Sequence, residues 1–129
     1  MNLGTNAPIA FIPTRNPAAA REFYERLLGL PLESEDVYAL VFRAGSTPGL
    51  MLRVVHTPNF TPAGYTIFGW QVRDVVDCVK QLTAAGITPA RYAYFEQDEL
   101  GIWSSPGGSK VAWFKDPDGN TLSVTQLPA

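Results

Sequence analysis

Few residues in this chain are equipped for chemistry. Glu96, Asp98 and Glu99 crowd the stretch YFEQDELGIW (94–103). Carboxylates this close can raise one another's pKa, which would suit a general acid or base. Such a run is equally the ordinary composition of a solvated turn. Tyr94 and Trp103 flank it, suited either to stacking on a planar ligand or to a core. Arg53 interrupts the apolar run LMLRVV (50–55). An arginine there is costly to bury unpaired. Three readings stand: it holds a carboxylate or enolate-like oxygen of a ligand, it pairs with an acid of the chain, or it snorkels to the rim. The chain has one cysteine, Cys78, on a helical stripe with Val75, Val79 and Leu82, and we read it as a small buried hydrophobe. The one histidine, His56, begins a loop-like segment and reads as a solvated or hydrogen-bonded loop residue. PGGSK (106–110) lacks the length and spacing of a phosphate-binding loop and reads as a hairpin turn.

These residues sit in an ordinary globular composition of 129 residues, enough for one domain with a core. Net charge is −2 and the pI about 5.3, with no basic stripe, so nucleic acid is not an expected partner. No apolar run approaches the ~20 residues that span a bilayer. The start, MNLGTNAPIAF, does not read as a secretory signal. A cytoplasmic protein without an internal disulfide is the expectation.

The elements repeat. IAFIPTRNPAAAREFYERLLGL (9–30) and IFGWQVRDVVDCVKQLTAAGI (67–87) each read as strand, helix cap, amphipathic helix and glycine stop. Asn16, followed by Pro17, caps the first helix and Asp74 the second; Gly29 and Gly86 end them. Strand patterns follow: VYALVF (37–42) and LMLRVV (50–55), with Gly45 and Pro48-Gly49 as turn signals, then ARYAYF (90–95), LGIW (100–103), KVAWF (110–114) and TLSVTQ (121–126). Asp116-Pro117-Asp118-Gly119-Asn120 is a turn by residue type. HTPNFTPAG (56–64) reads as a connection. A single domain over 1–129 is expected, with one module over about 6–56, a linker over about 57–64 and a second module over about 65–127.

With NPAAAREFYERLLGL, VAWFKDPDGNTLSV and the βαβββ duplication in view, the chain resembles the vicinal oxygen chelate superfamily. That group includes glyoxalase I, extradiol dioxygenases, fosfomycin-resistance enzymes and bleomycin-binding proteins. The resemblance implies an α+β fold: two βαβββ modules forming curved open sheets around a cleft, helices outside. It implies a homodimer as well. The family's metal ligands lie on the first and last strands of each module. The matching positions here are Ile9, Arg53, Ile67 and Ser123, and none is a usual ligand. No metal and no other cofactor is therefore expected.

Strand alternation then places Ile9, Phe11, Met51, Arg53, Ile67, Gly69, Gln71, Ser123 and Thr125 on the cleft faces. Ile12, Leu50, Leu52, Phe68, Trp70, Val72, Leu122 and Val124 fall on the opposite faces, toward the helices. Phe11, Met51, Arg53, Gln71, Tyr94, Trp103, Ser123 and Thr125 are the candidate ligand-binding residues. The expected function is metal-free binding of a small organic molecule, anionic if Arg53 selects it. A metal-independent lyase or isomerase using Glu96, Asp98 and Glu99 is the alternative, and an interaction domain with a vestigial cleft the second.

Overall fold

The computed structural model describes residues 1–46 and 49–129. The turn signal at Pro48 lies outside them. The chain divides into two compact units, Met1–Thr61 and Pro62–Ala129.

The first unit carries β1 (Ile9–Thr14), α1 (Pro17–Arg21), β2 (Leu32–Glu35), β3 (Ala39–Ala44) and β4 (Leu50–His56). Its sheet has the order β1-β4-β3-β2, with β1 parallel to β4 and the other pairs antiparallel. The second unit repeats this with β5 (Thr66–Gln71), α2 (Val75–Ala84), β6 (Trp103–Ser104), β7 (Lys110–Lys115) and β8 (Thr121–Gln126). Its order is β5-β8-β7-β6, with β5 parallel to β8. Both are βαβββ modules, and the fold is α+β.

The caps explain where the helices begin. Asn16 Oδ1 accepts from the Ala19 amide at 3.2 Å, and Asp74 Oδ1 from the Asp77 amide at 3.1 Å. Gln126 Oε1 takes the Val75 amide at 2.9 Å, so α2 starts with a further donor satisfied. At the far end of α2, Gly86 turns left-handed (φ 86), and the Ile87 amide reaches back to the Leu82 carbonyl at 2.9 Å. This is the reverse hydrogen bond that closes many helices.

Each helix buries one face of its own sheet. In the first unit Ile12, Leu40, Phe42, Leu52 and Val54 are buried together with Ala20, Phe23 and Tyr24, whose ring lies 6.0 Å from that of Phe42. In the second, Val75 and Val79 are buried with Ala112, Phe114, Leu122 and Val124, and Trp70 lies parallel to Phe114 at 6.3 Å. These side chains come from the strand positions that alternation assigns to the helix side.

Several elements differ from the sequence reading. The first helix widens after Arg21 into a π-helical stretch, Glu22–Leu27, where the Leu28 amide bonds the carbonyl of Phe23, five residues back. β2 has the polar sequence LESE and gave no strand pattern. ARYAYF is not a strand. Only Ala90 bridges to Trp113, because Gln97 takes both the Tyr92 amide and the Ala90 carbonyl. Of LGIW, Trp103 alone lies in a strand. The PGGSK segment is a hairpin turn, closed by Ser105 N to Ser109 O at 2.8 Å. In the Asp116–Asn120 turn, Asp116 Oδ1 accepts from the amides of Asp118 and Asn120, both at 2.9 Å.

Among the described residues, no helix is long and apolar enough to cross a membrane.

Candidate functional site

On the first sheet, the face away from the helix is built from three short rows of paired residues. Phe11 sits beside Arg53, and Arg53 beside Val41; Ile9, Met51 and Arg43 form the next row; Pro13, Val55 and Ala39 the third. The predicted residues Phe11, Met51 and Arg53 therefore share this face. Phe11 is 61% exposed, and Arg53 is half-buried.

Arg53 has no hydrogen bond and no ion pair among the described residues. Other arginines of the unit are occupied. Arg43 grips Glu33 with two bonds, at 3.0 and 2.8 Å, and Arg21 reaches Glu25 and Glu35. Asp36, in the turn between β2 and β3, feels the positive charge of Arg53. Asp36 Oδ1 accepts from the amides of Tyr38 (2.8 Å) and Ala39 (3.0 Å). Those two bonds, and then the positive charge of Arg53, hold the Asp36 carboxyl below its ordinary pKa. The two side chains attract each other without closing into an ion pair.

On the second sheet, Gly69, Ser123 and Trp113 form one row, and Gln71, Thr125, Val111 and Trp103 the next. The predicted Gln71, Trp103, Ser123 and Thr125 thus share a face. Between Thr66 and Phe68 the register slips, leaving Ile67 in a bulge rather than in simple alternation with Gly69.

Aromatic residues gather at this sheet. Phe95 lies 4.8 Å from Trp113 at an interplanar angle of 7°, and 4.6 Å from Trp103. Tyr92 meets Trp113 edge-on at 5.6 Å. Tyr94 contacts Phe95 at 4.7 Å and is 74% exposed, so it forms the open end of the cluster. Tyr92, Phe95 and Trp113 were not among the sequence candidates. Their signal was the density of aromatic residues at 92, 94, 95, 103 and 113.

Gln97 positions this group. Its amide nitrogen donates to the carbonyls of Ala90 (2.9 Å) and Gly101 (2.8 Å), and its oxygen accepts from the Tyr92 amide (2.8 Å). One side chain ties both ends of the loop. The acidic residues belong to the same loop. Glu96, Asp98 and Glu99 are exposed. Asp98 Oδ1 accepts from the amides of Leu100 and Ile102, both at 2.9 Å, and Arg91 bonds the backbone carbonyls of Asp98 and Glu99. Cys78 is half-buried, and its thiol pKa is raised, first by burial and then by Asp77.

The four positions that the resemblance matches to metal ligands carry no carboxylate, imidazole or thiolate. Ile9 and Arg53 lie on the first sheet, Ile67 and Ser123 on the second. Among the described residues no three His, Cys, Asp or Glu side chains come together to hold an ion. His56 is exposed at the end of β4, where its amide bonds the Tyr38 carbonyl at 2.8 Å.

A family model described as the Glyoxalase/Bleomycin resistance protein/Dioxygenase superfamily matches residues 7–124. A search of curated proteins found no match. Solved structures of similar fold include a bleomycin resistance determinant encoded on the transposon Tn5, with 23% identity, a TM-score of 0.73, and 97% of this chain and 100% of that one covered. A bleomycin-binding protein complexed with bleomycin has 23% identity and a TM-score of 0.69, covering 96% and 100%. Lactoylglutathione lyase from Agrobacterium tumefaciens has 17% identity and a TM-score of 0.72, covering 95% of each chain. At these identities the likeness concerns the fold.

Proposed function

The chain belongs to the Glyoxalase/Bleomycin resistance protein/Dioxygenase superfamily, and on that premise we propose that it binds a small organic molecule without a metal. The observation that carries this reading is Arg53: a half-buried arginine between exposed Phe11 and buried Val41, with no ion pair among the described residues. A cation so placed is suited to a ligand carboxylate, which it can hold through two parallel bonds. Taken by itself, the second unit carries Gln71, Ser123, Thr125 and Trp103 on one face of its own sheet, with Tyr94 at the open end of its aromatic cluster. Apolar walls with a few polar anchors are the usual make-up of a small-molecule site. A structural relative named for binding bleomycin supports a binding role for the scaffold. The metal-independent lyase or isomerase, with Glu96, Asp98 and Glu99 as acid and base, has weaker support. Asp98 already uses Oδ1 to hold its own loop. We take the protein as a cytoplasmic homodimer.

The test is Arg53→Met, which keeps much of the volume and removes the charge. Calorimetry with aromatic carboxylates and their neutral amides should show the carboxylates weakened by ~10- to 150-fold, the equivalent of a charge-assisted hydrogen bond of ~1.5–3 kcal/mol. The amides should change little. Equal losses for both, or a fall in melting temperature with unchanged charge preference, would reject the reading in favour of an internal role for Arg53.

A further inference from the structure

Arg53 does not face its surroundings alone. Val41 is its direct neighbour on β3, and Ala39 lies two residues further along the same strand, on the same face. Diagonal neighbours of this kind have Cα atoms about 7–8 Å apart. Asp36 Oδ1 is bonded to the Ala39 amide at 3.0 Å, so the carboxylate is fixed next to that diagonal neighbour. Its second oxygen has no hydrogen bond among the described residues. The turn that carries it also exposes two apolar side chains, Val37 (79%) and Tyr38 (71%). A cation and an anion thus stand on one module, each without an ion pair among the described residues; exposed Phe11 neighbours Arg53, and exposed Val37 and Tyr38 follow Asp36 in its turn.

We propose that Arg53 and Asp36 form a two-pole site for a small zwitterion with an apolar body, the chemical class of an aliphatic or aromatic α-amino acid. Arg53 takes the carboxylate and the free oxygen of Asp36 takes the ammonium. An oppositely charged pair that remains open costs less to fill than a closed one, since no internal ion pair has to break first. A purely anionic ligand meets the repulsion of Asp36 and a purely cationic one that of Arg53, so the pair selects against both. The inference rests on the binding reading given above and sharpens its ligand class.

The probes are phenylalanine, 3-phenylpropionate and phenethylamine, which share one ring and carry both charges, the negative one, or the positive one. Binding to the full chain is measured by calorimetry near neutral pH. Phenylalanine should bind roughly tenfold or more tightly than either single-charge probe. Asp36→Asn keeps Oδ1 for the Tyr38 and Ala39 amides, and an unchanged melting temperature would verify that the turn persists. This variant should lose the preference for phenylalanine and bind 3-phenylpropionate at least as well as the parent. Arg53→Met should weaken both carboxylates. If 3-phenylpropionate binds through Arg53 but phenylalanine binds no better, the two-pole site is wrong and the binding reading survives. If Asp36→Asn weakens both carboxylates equally, the two-pole site is likewise wrong. If none of the probes binds at millimolar concentration, both fail.

Discussion

A Cβ built on Gly69 would meet the hydroxyl of Ser123 and, at 2.9 Å, its backbone carbonyl oxygen. The close approach of β5 to β8 therefore needs a residue without a side chain. Gly69→Ala should lower unfolding free energy by ~1–3 kcal/mol, as overpacking generally does. Denaturant unfolding checks it, and Ser123→Ala should restore only part, because the carbonyl contact remains. Asp36 supports a second expectation. Its carboxyl titrates below the ordinary range because the Tyr38 and Ala39 amides, and then Arg53, favour the charged form. A depressed folded pKa gives stability that is present above the unfolded value and lost as pH falls through the folded one, here below about pH 4. Asp36→Asn should flatten that part of the acid limb in a fluorescence titration. An unaltered limb would contradict the assignment. At this scale Arg53 was legible in the sequence, because a charge in an apolar strand stands out. Asp36 was not, since its link to Arg53 passes through strand register and turn geometry that residue order alone does not specify.

The helices were legible as elements because their signals are local: Asn16-Pro17 and Asp74 at the starts, Gly29 and Gly86 at the ends. The loop over 91–101 was not. ARYAYF has the aromatic content of a strand, yet Gln97 diverts its backbone into a tied loop. A polar side chain that competes with the sheet ladder leaves no periodic trace in the sequence. The widening of the first helix was also hidden, since one bond spanning five residues changes no apolar pattern. Gln97 gives the prediction for this scale. Gln97→Ala leaves three backbone groups without their side-chain partner and should destabilise by ~1–3 kcal/mol. It should also alter the tryptophan emission of Trp103 and Trp113, which pack on Phe95. Gln97→Glu should be no better, for a carboxylate can accept from Tyr92 but cannot donate to Ala90 and Gly101. Hydrogen exchange at Tyr92 should rise in Gln97→Ala, which alone removes its acceptor. Unchanged protection would mean that the loop is held by its aromatic contacts.

Duplication made the βαβββ repeat readable, because each half repeats cap, helix, glycine and strands in the same order. The faces were legible where alternation is regular and failed at the bulge that holds Ile67. Assembly does not follow from periodicity, and it is the last matter to test. Each four-stranded sheet has two outer strands, β1 and β2 in the first unit, β5 and β6 in the second. Outer strands carry backbone groups that invite pairing, and β1 in addition exposes Ile9 and Phe11. β2 is short and acidic, a composition that discourages pairing, so β1 is the better candidate for a contact between copies. A homodimer should appear in light scattering at micromolar concentration as a mass about twice that of the 14.1 kDa chain. Phe11→Glu should shift the measured mass toward that single chain, by placing like charges opposite each other across a two-fold axis. A parent protein that scatters as a single chain at the same concentration would remove the dimer from the proposal and leave Arg53 and its neighbours to act within one copy.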